Sequence, residues 1–554
     1  MNKLFYGDNL AVLRRHLKDE TVDLCYIDPP FNSKRNYNQI YNNVGKEDRA
    51  QAQAFVDTWT WDEQAMRGLD EILNDPSGKF TYQTVQLMAG LDKVLGRGSL
   101  FAYVISMTLR IVEIHRVLKP TGSFYLHCDQ SASHYLKIVL DAVFCGATGE
   151  FQNEIIWKRA ETVKGNFGQG TRRLDVNTDT ILFYTKNANS LFHQPFKEYT
   201  EAYIKQFYKF IEPETNRRYQ LISMTGPGGE ANGNPYYDVM GVKRYWRYSK
   251  EKMQQLIADG LVVQNAPGSV PRKKQYLDKG LGVPVQTLWD DTPALHATSA
   301  ERLGYPTQKP EALLERIIKT SSNEGDVVLD AYCGCGTTVA VAQRLNRQWI
   351  GIDITYQSIA LMLKRLEDTY GKDVLTTISL SGMPQDFASA VALANKADDR
   401  VRKEFEKWAV LAFSNNRAMI NEKKGGDGGI DGRALMLTRN ETGEIMVDVL
   451  FSVKSDKVIT PARIREFYGT IQREKAACGY FLCLYPPNPN IYREARQYGT
   501  YTNQLFGQEY PVLEIITAQN ILDGERIRIP ASQRIDVLKA AEKAKKDTSQ
   551  LGLF

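Results

Sequence analysis

A strand, a glycine-containing loop, a helix and a second strand follow one another around residue 330, and this order most constrains the fold. The apolar run DVVLD ends at residue 330, TTVAVAQRLN has helical periodicity, and QWIGIDI is a second apolar strand. Parallel strands need a helical crossover of this kind, so the pattern predicts a βαβ unit. Strands and helices also alternate over residues 1–150, which favours the α/β class with a mostly parallel sheet.

The loop DAYCGCGTT, residues 330–338, joins that strand to its helix. Gly334 and Gly336 allow the backbone to approach a ligand, and the helix N-terminus that follows offers unpaired N–H groups. Asp353 ends the next strand, where an acid suits the hydroxyls of a ribose. The third glycine of a dinucleotide fingerprint is replaced by Val339, and no P-loop motif occurs. The loop therefore predicts a nucleoside-containing ligand, with a plain tight turn as the alternative.

A second motif, DLCYIDPPF, is a strand interrupted by two prolines. Proline cannot donate to a sheet ladder, so the strand should stop at Asp28. Asp28, Pro29, Pro30 and Phe31 are then presented at the carboxyl end of the strand, where open α/β sheets bind ligands. A carboxylate, free carbonyls and a flat apolar ring suit a planar group that carries an amino group, although a strand-ending turn has the same pattern.

Together, DPPF and DAYCGCGTT resemble the catalytic and cofactor motifs of the DNA amino-methyltransferases, which use S-adenosylmethionine. The catalytic motif precedes the cofactor motif, an order that resembles the β group of this family. The segments YGDNL at 6–10 and YPTQKP at 305–310 match further motifs, and parts of residues 1–370 resemble type III modification subunits. The resemblance implies a Rossmann-like methyltransferase fold with an inserted target-recognition region. Tyr332 and Cys333 depart slightly from the usual loop pattern.

The resemblance also implies roles for individual residues. In DPPF, Asp28 and the Pro29 carbonyl would accept hydrogen bonds from the target amino group, and Phe31 would stack on a base extruded from the duplex. An acid at the first position favours the N6 atom of adenine over the N4 atom of cytosine. No metal is implied for methylation. The residues implied to bind the cofactor are Asp8, Lys309, Asp330, Tyr332, Gly334, Gly336, Thr337 and Asp353.

Composition and motifs divide the chain into five parts. They are a catalytic part over 1–150, a target-recognition region over 151–300, a cofactor-binding part over 301–375, a linker over 376–396 and a last α/β domain over 397–554. The second part is rich in glycine, proline, tyrosine and basic residues. Basic groups bind DNA phosphates, although they are also typical of an ordinary charged surface. The candidates are Lys243, Arg244, Arg247, Arg272, Lys273 and Lys274.

The last domain contains GGDGGIDGRALM followed by the strand IMVDVLFSVKSDK. This pair resembles the Mrr-like branch of the PD-(D/E)xK nucleases and implies Asp431 as a metal-binding acid and Lys454 as the lysine that positions water. Ser452 occupies a position where an acid or glutamine is expected, which leaves Glu404 or Glu406 to assist Asp431. The interpretation favours a DNA-binding or assembly domain, and leaves open cleavage with Mg2+. The chain ends in the charged tail LKAAEKAKKDTSQLGLF, residues 538–554.

The whole chain has a net charge of +5 and seven scattered cysteines. Only Cys333 and Cys335 are close in sequence, which is poor support for a zinc site. No apolar run reaches membrane-spanning length and the N-terminus lacks a signal core, so we expect a cytoplasmic protein without a membrane partner.

The expected partner is double-stranded DNA. Two further kinds of partner stay open: a restriction or helicase subunit, and a second copy of the chain in a homodimer. Four alternative functions also stay open: N4-cytosine methylation, a single-chain restriction–modification enzyme, a non-catalytic nucleic-acid-binding protein, and methylation of amino groups in RNA or protein.

Overall fold

The computed structural model describes residues 1–31, 35–43, 46–57, 59, 61–75, 77–160, 174–296, 299–303, 305, 307–384, 386–395, 399–414, 417–420, 429–441 and 443–530. The tail 538–554, Pro306 of the YPTQKP motif and residues 425–428 of GGDGGIDGRALM lie outside the described residues. The described chain forms two compact units, one of residues 194–286 and one of the remainder.

Residues 1–193 alternate between strands and helices, as their apolar periodicity predicts, and include a π-helical turn at Asp141–Cys145. The elements are β1 (Asn2–Tyr6), α1 (Asn9–His16), β2 (Val22–Ile27), β3 (Arg35–Asn43), β4 (Lys46–Asp57), α2 (Glu63–Asn74), α3 (Tyr82–Leu95), α4 (Ser99–Val117), β5 (Leu118–Cys128), α5 (Ser133–Leu140), β6 (Glu150–Lys158) and β7 (Thr178–Thr185).

The unit of residues 194–286 consists mainly of short antiparallel strands. Its elements are β8 (Phe196–Lys197), α6 (Glu201–Phe207), β9 (Phe210–Ile211), β10 (Arg218–Ser223), β11 (Tyr236–Val239), β12 (Val242–Tyr245), α7 (Lys250–Ala258), β13 (Val262–Val263), β14 (Arg272–Tyr276) and β15 (Val283–Pro284). Four strands form a sheet in the order β13-β14-β10-β9, and β11 pairs with β12. Trp246 is fully buried in a small core of its own beside Met224 and Met253.

The chain then returns to the first unit. The elements are β16 (Leu288–Trp289), α8 (Glu311–Ser321), β17 (Val327–Asp330), α9 (Thr337–Arg344), β18 (Gln348–Asp353), α10 (Tyr356–Tyr370), α11 (Asp373–Thr376), β19 (Ile378–Ser381), α12 (Phe387–Ala394), α13 (Asp399–Phe413), β20 (Met419–Ile420), β21 (Gly432–Asn440), β22 (Gly443–Lys454), α14 (Pro461–Arg473), β23 (Cys478–Cys483), α15 (Pro489–Arg496), β24 (Thr500–Thr502), β25 (Glu509–Pro511), β26 (Leu513–Thr517) and α16 (Ala518–Leu522).

A nine-stranded sheet forms the centre of the first unit, in the order β16-β6-β7-β5-β2-β17-β18-β1-β19. All its neighbouring strands are parallel except that β7 runs antiparallel to β5 and β6. The central strand β2 lies beside β17, so the DPPF segment and the glycine loop follow neighbouring strands. This arrangement confirms the predicted Rossmann-like α/β fold, and it brings together motifs that lie 300 residues apart.

A second sheet, β20-β21-β22-β23-β26, belongs to the C-terminal α/β domain. Its first three strands are antiparallel to one another, and β22, β23 and β26 are parallel. Helix α13 packs on one face of this sheet through Phe405 and Phe413, and α14 packs on the other through Ile464 and Phe467. Among the described residues, no helix has both the length and the apolar character needed to cross a membrane.

Two predicted boundaries differ from the structure. Residues 376–396, predicted as a linker, instead contain β19, which extends the nine-stranded sheet beside β1, and α12, whose Ala390 and Leu393 pack in the C-terminal core. The alanine-rich composition of this segment reflects close helix packing. The inserted compact unit covers 194–286, whereas the prediction gave 151–300, because β6, β7 and β16 belong to the central sheet.

Candidate active site

The carboxyl ends of β1, β2, β17 and β18 open onto one cavity of about 1060 Å3. That volume is at the upper end of the range for small-molecule pockets, about 300–1,000 Å3. Of the twelve residues predicted to be catalytic or cofactor-binding, the structure places all but Gly336 in the cavity wall. They are Asp8, Asp28, Pro29, Pro30, Phe31, Lys309, Asp330, Tyr332, Gly334, Thr337 and Asp353.

The glycine loop follows β17 and has the left-handed backbone that its sequence predicts. Gly334 has φ of +49° and Gly336 has φ of +75°. A Cβ atom at Gly336 would stand 2.3 Å from Cγ of Met362, so this position needs glycine for space as well as for conformation. Gly336 is the N-cap of α9, and its N–H donates to the Cys333 carbonyl at 2.7 Å. Gly336 therefore shapes the cavity from behind its wall.

Asp353 stands at the end of β18 and is held by three hydrogen bonds. Its Oδ1 accepts from the N–H of Thr355 at 2.8 Å and from the Thr355 hydroxyl at 2.9 Å, and Oδ2 accepts from the N–H of Gly334 at 2.9 Å. Burial raises the pKa of the carboxyl, while these hydrogen bonds oppose the rise. The carboxylate is thus tied to the glycine loop and oriented at the cavity.

Asp330 ends β17 and is almost fully buried. Its Oδ1 accepts a hydrogen bond from the N–H of Tyr332 at 3.0 Å. Burial raises the pKa of Asp330 to about 7, and the nearby charges of Asp28 and Asp353 add to the rise. A buried carboxyl with a raised pKa favours a cationic ligand, because a nearby positive charge would stabilise the ionised form.

Asp8 lies at the other side of the cavity and caps α1, accepting from the N–H of Ala11 at 3.0 Å. Arg110 of α4 donates to Oδ2 of Asp8 at 2.8 Å and to Oδ1 of Asn9 at 2.5 Å. Asn9 in turn donates to the Ala331 carbonyl at 2.9 Å, next to the glycine loop. Sequence reasoning missed Arg110 because it lies inside a mostly apolar helix, far from every motif.

In the DPPF segment, the Lys309 ammonium hydrogen-bonds to Oδ2 of Asp28. Lys309 is only 8% exposed, and its Nζ lies 5.6 Å from the ring centroid of Phe31. Lys309 stands immediately before Pro310, the N-cap of α8. The lysine therefore holds the acid and the aromatic ring of the motif in one arrangement.

A buried polar chain supports this segment from below. The ring of Phe31 stacks on His127 with centroids 6.2 Å apart, and Nδ1 of His127 lies 2.9 Å from the Tyr26 hydroxyl. Its Nε2 lies 3.2 Å from Oδ2 of Asp179. Burial, with the nearby Lys309 charge, lowers the pKa of His127, so the neutral ring accepts from Tyr26 and donates to Asp179. Sequence reasoning did not include His127, although a histidine within the apolar strand FYLHCD could have indicated it.

The six basic residues predicted to contact DNA all lie in the compact unit 194–286. Lys243, Arg244, Arg247 and Arg272 are exposed, whereas Lys273 and Lys274 are half-buried.

Lys274 differs from the other five because its ammonium lies 2.9 Å from Oε1 of Glu212. Hydrogen bonds from Thr215, Lys274 and Tyr276 lower the pKa of Glu212 to about 2. The Lys274 ammonium therefore forms an ion pair within the inserted unit.

The nuclease-like residues meet on β22 and the loop before β21. Oδ2 of Asp431 accepts from the N–H of Val453 at 2.7 Å and lies 3.8 Å from Nζ of Lys454. Ser452 is buried within the sheet. Over the described residues, which omit 421–428, no group of three histidine, cysteine or acidic side chains is arranged to hold a metal ion. The wall of the cavity also includes Glu404, Glu406 and Asp431.

Two family models match the chain. A family model described as DNA methylase matches residues 22–364, more than half of the chain. The chain belongs to the DNA methylase family. A second family model, described as restriction endonuclease, matches residues 400–504, which confirms the predicted Mrr-like resemblance of the C-terminal domain.

Three relatives illustrate the range of this family. The chain is 26% identical to the Mod subunit of the type III restriction–modification enzyme StyLTI of Salmonella typhimurium, over 63% of the chain and 50% of the subunit. It is 28% identical to the type II methyltransferase M.EcaI of Enterobacter cloacae, over 48% of the chain and 57% of that methyltransferase. It is 49% identical to the DNA adenine methyltransferase YhdJ of Escherichia coli, over 66% of the chain and 82% of YhdJ. The chain thus spans about half the length of the first two relatives.

Proposed function

We propose that the protein transfers a methyl group from S-adenosylmethionine to the N6 amino group of adenine in double-stranded DNA. The observation that carries this proposal is that the DPPF segment and the glycine loop open onto one cavity. Asp28 and Phe31 form its base-facing side, and Asp330, Gly334 and Asp353 its cofactor-facing side. The named function of the relative YhdJ, 49% identical over 82% of its length, supports adenine as the target.

The donor set of the cavity fits S-adenosylmethionine. Asp353 offers fixed acceptors for ribose hydroxyls, and Asp330 offers a buried carboxyl in the cavity wall that the methionine ammonium would stabilise in its ionised form. The left-handed glycines leave room at the loop, because a Cβ at Gly334 would stand 3.3 Å from the Tyr305 ring. When bound, the cofactor supplies an electrophilic methyl group on a sulfonium. Asp8, Lys309, Tyr332 and Thr337 complete the wall.

At the base-facing side, Asp28 orients the target. The Lys309 ammonium occupies Oδ2 of Asp28, so Oδ1 is the atom that we propose accepts a hydrogen from the exocyclic amino group. The Pro29 carbonyl accepts the second hydrogen. Held this way, the nitrogen lone pair turns out of conjugation and faces the methyl group, which is an effect of orientation and of preorganised dipoles.

The target base must leave the duplex to reach Asp28, at a cost of a few kcal/mol. Phe31 stacks on His127 with one face and contributes to the cavity wall, so its ring can stack on the extruded base. Stacking of a base on an aromatic ring contributes about 1–3 kcal/mol, which is comparable with the cost of extrusion. The exposed cations Lys243, Arg244, Arg247 and Arg272, with the half-buried Lys273, are proposed to bind DNA phosphates.

The N4 amino group of cytosine is the alternative target, because the same chemistry serves both bases. The type III Mod relative supports a role in restriction–modification or phage defence, with a separate restriction or helicase subunit or a second copy of the chain as partner. Action on cellular DNA is consistent with the cytoplasmic location expected from the sequence. Methylation of RNA or protein amino groups and a non-catalytic nucleic-acid-binding role are less well supported, since every DPPF residue lines the cavity.

The deciding experiment incubates the purified protein with unmethylated DNA and S-adenosylmethionine, then analyses the nucleosides by mass spectrometry. We expect N6-methyladenine, absent with Asp28→Ala. N4-methylcytosine would overturn the choice of base and keep the mechanism. Cofactor binding without any methylated base on DNA would overturn the proposed substrate.

The nearness of Asp431 and Lys454 supports a second candidate, in which one chain also cleaves DNA with Mg2+. Incubating the same DNA with the protein and Mg2+ tests it by gel electrophoresis. Cleavage lost in Asp431→Ala, with methylation retained, would establish this activity. Uncut DNA under these conditions would favour an assembly or DNA-binding role for the C-terminal domain.

A further inference from the structure

The first helix of the C-terminal domain forms part of the wall of the cavity at the end of the methyltransferase sheet. Glu404, Lys407 and Leu411 of α13 line the cavity at spacings of three and four residues, together with Lys403. This spacing places the side chains along one face of a helix. Phe405 and Phe413 of the same helix point into the core of the C-terminal domain. One helix thus serves the cavity on one side and the nuclease-like sheet on the other.

Glu404 contacts the methyltransferase sheet directly. One carboxylate oxygen accepts a hydrogen bond from the hydroxyl of Tyr6, the last residue of β1. The other lies 2.9 Å from Nζ of Lys407. Tyr6 is buried and stands opposite Asp353 in the parallel pairing of β1 and β18. Glu404 is therefore anchored beside the strand end that carries the proposed ribose-binding acid.

The surroundings of Glu404 indicate which part of a ligand it meets. Ile354, Thr355 and Tyr356, which follow Asp353, line the same cavity, and the Tyr356 ring lies 6.4 Å from that of Tyr6 in an edge-on arrangement. The acid Asp330, which suits the methionine ammonium, ends a different strand, β17. A carboxylate can accept about four hydrogen bonds, so Glu404 retains capacity beyond Tyr6 and Lys407.

We propose that Glu404 binds a hydrogen-bond donor of the adenosine part of S-adenosylmethionine, so that the nuclease-like domain completes the cofactor site. This inference rests on the proposed function. It assigns to the C-terminal domain a role that requires no DNA cleavage. It also removes Glu404 from the set of acids able to assist Asp431, because its carboxylate is committed to Tyr6 and the cofactor.

Cofactor binding should then suppress local opening of α13, the helix of the C-terminal domain that lines the cavity. Helix α13 packs on β22 and β23, where the Phe413 ring lies 5.0 Å from that of Tyr480 and 6.5 Å from that of Phe451. Any ligand that binds the cavity wall at α13 lowers the free energy of the docked domain, by linkage. We expect slower amide hydrogen exchange in α13 when S-adenosylmethionine is bound, with α14 on the opposite face of the sheet as the internal reference.

The test compares binding of S-adenosylmethionine and of free adenosine by calorimetry. Glu404→Gln should weaken binding of both ligands by about tenfold or more, since it removes a hydrogen bond to a charged group. Asp330→Asn should weaken binding of S-adenosylmethionine and leave the affinity for adenosine unchanged. Glu315→Gln is the matched control, because this α8 glutamate also pairs with a lysine of its own helix, Lys319, and with Arg344, but does not line the cavity.

Two outcomes separate this inference from the proposed function. Wild-type protein that binds neither ligand overturns the proposed function and, with it, this inference. A second outcome overturns the inference alone. In it the wild-type protein binds both ligands, Glu404→Gln binds them with affinities within twofold of wild type, and the cofactor does not change amide exchange in α13. Should Glu404→Gln fold poorly, Tyr6→Phe releases the carboxylate from its anchor, and the exchange of wild-type α13 gives an independent answer.

Discussion

Lys309 and Asp28 form a partly buried hydrogen-bonded ion pair although 281 residues separate them in the chain. The pair joins the helix that precedes the glycine loop to the DPPF segment. Removal of the ammonium would leave Asp28 without its positioning partner. The fold therefore brings together two segments of the cavity wall that are distant in the chain.

Lys309→Met keeps an unbranched side chain, one heavy atom shorter, and removes its charge. We expect kcat for methyl transfer to fall by about 100-fold, the size of effect that a misplacement of about 1 Å produces. Lys119→Met is the matched control, since Lys119 pairs with Asp23 at 2.8 Å near the opposite end of β2. Steady-state kinetics on unmethylated DNA would measure both, and equal losses would contradict a specific role for Lys309.

Phe31→Leu should weaken the hold on the extruded base while sparing cofactor binding. The lost stacking is worth about 1–3 kcal/mol, and Phe31→Tyr should restore it. Fluorescence of 2-aminopurine at the target position would report base extrusion. Phe151→Leu, which alters an exposed aromatic residue of β6, serves as the control. Unchanged fluorescence in Phe31→Leu would exclude stacking by this ring.

Gly336→Ala and Gly371→Ala separate conformational strain from steric clash. Both glycines have positive φ, +75° and +82°, so each alanine should cost about 1–2 kcal/mol of unfolding free energy. Only at Gly336 would the new Cβ meet another residue, 2.3 Å from Cγ of Met362. We expect denaturant titration to show the larger loss for Gly336→Ala, and calorimetry to show weakened cofactor binding there alone. Normal cofactor affinity in Gly336→Ala would contradict a shaping role.

The pH dependence of cofactor binding should follow Asp330. Burial raises its pKa from an ordinary value of 3.8 to about 7, so in the unliganded protein it is protonated below that pH. Its contribution to stability is full below pH 4 and is lost as the pH rises through 7, whereas the ionised form binds the ammonium.

Affinity for S-adenosylmethionine should therefore tighten from pH 6 to pH 7.5, with proton release that calorimetry in two buffers would measure. Asp330→Asn should abolish this dependence. Proton release that persists in Asp330→Asn would assign the titration to another group.

Arg272→Ala and Lys274→Ala should differ although their residues are two positions apart on β14. Arg272 is exposed, so its loss should reduce the salt dependence of DNA binding by about one ion released. Lys274 pairs with Glu212, so its loss should lower the thermal stability of the inserted unit with little change in the salt slope. Binding titrations at several salt concentrations, with melting curves, would distinguish them, and identical salt slopes would contradict the assignment.

The sequence by itself determined the class of the fold and the two motifs of the site. Proline after Asp28 and glycine at 334 and 336 act through local backbone geometry, which no distant residue has to supply. The βαβ periodicity around residue 330 similarly required only neighbouring residues. For these features local physics is sufficient: β2 ends just before Asp28, both glycines have positive φ, and the βαβ unit is present.

Tertiary structure alone decided which distant side chains complete the site. Arg110 and His127 acquire their partners only when strands and helices pack. Glu404, which the sequence associated with Asp431, instead accepts a hydrogen bond from Tyr6 at the end of β1. The same holds for residues 376–396, whose composition predicted a linker but which extend the sheet and pack in the C-terminal core. Their roles depend on burial and on long-range pairing, which are properties of the folded chain.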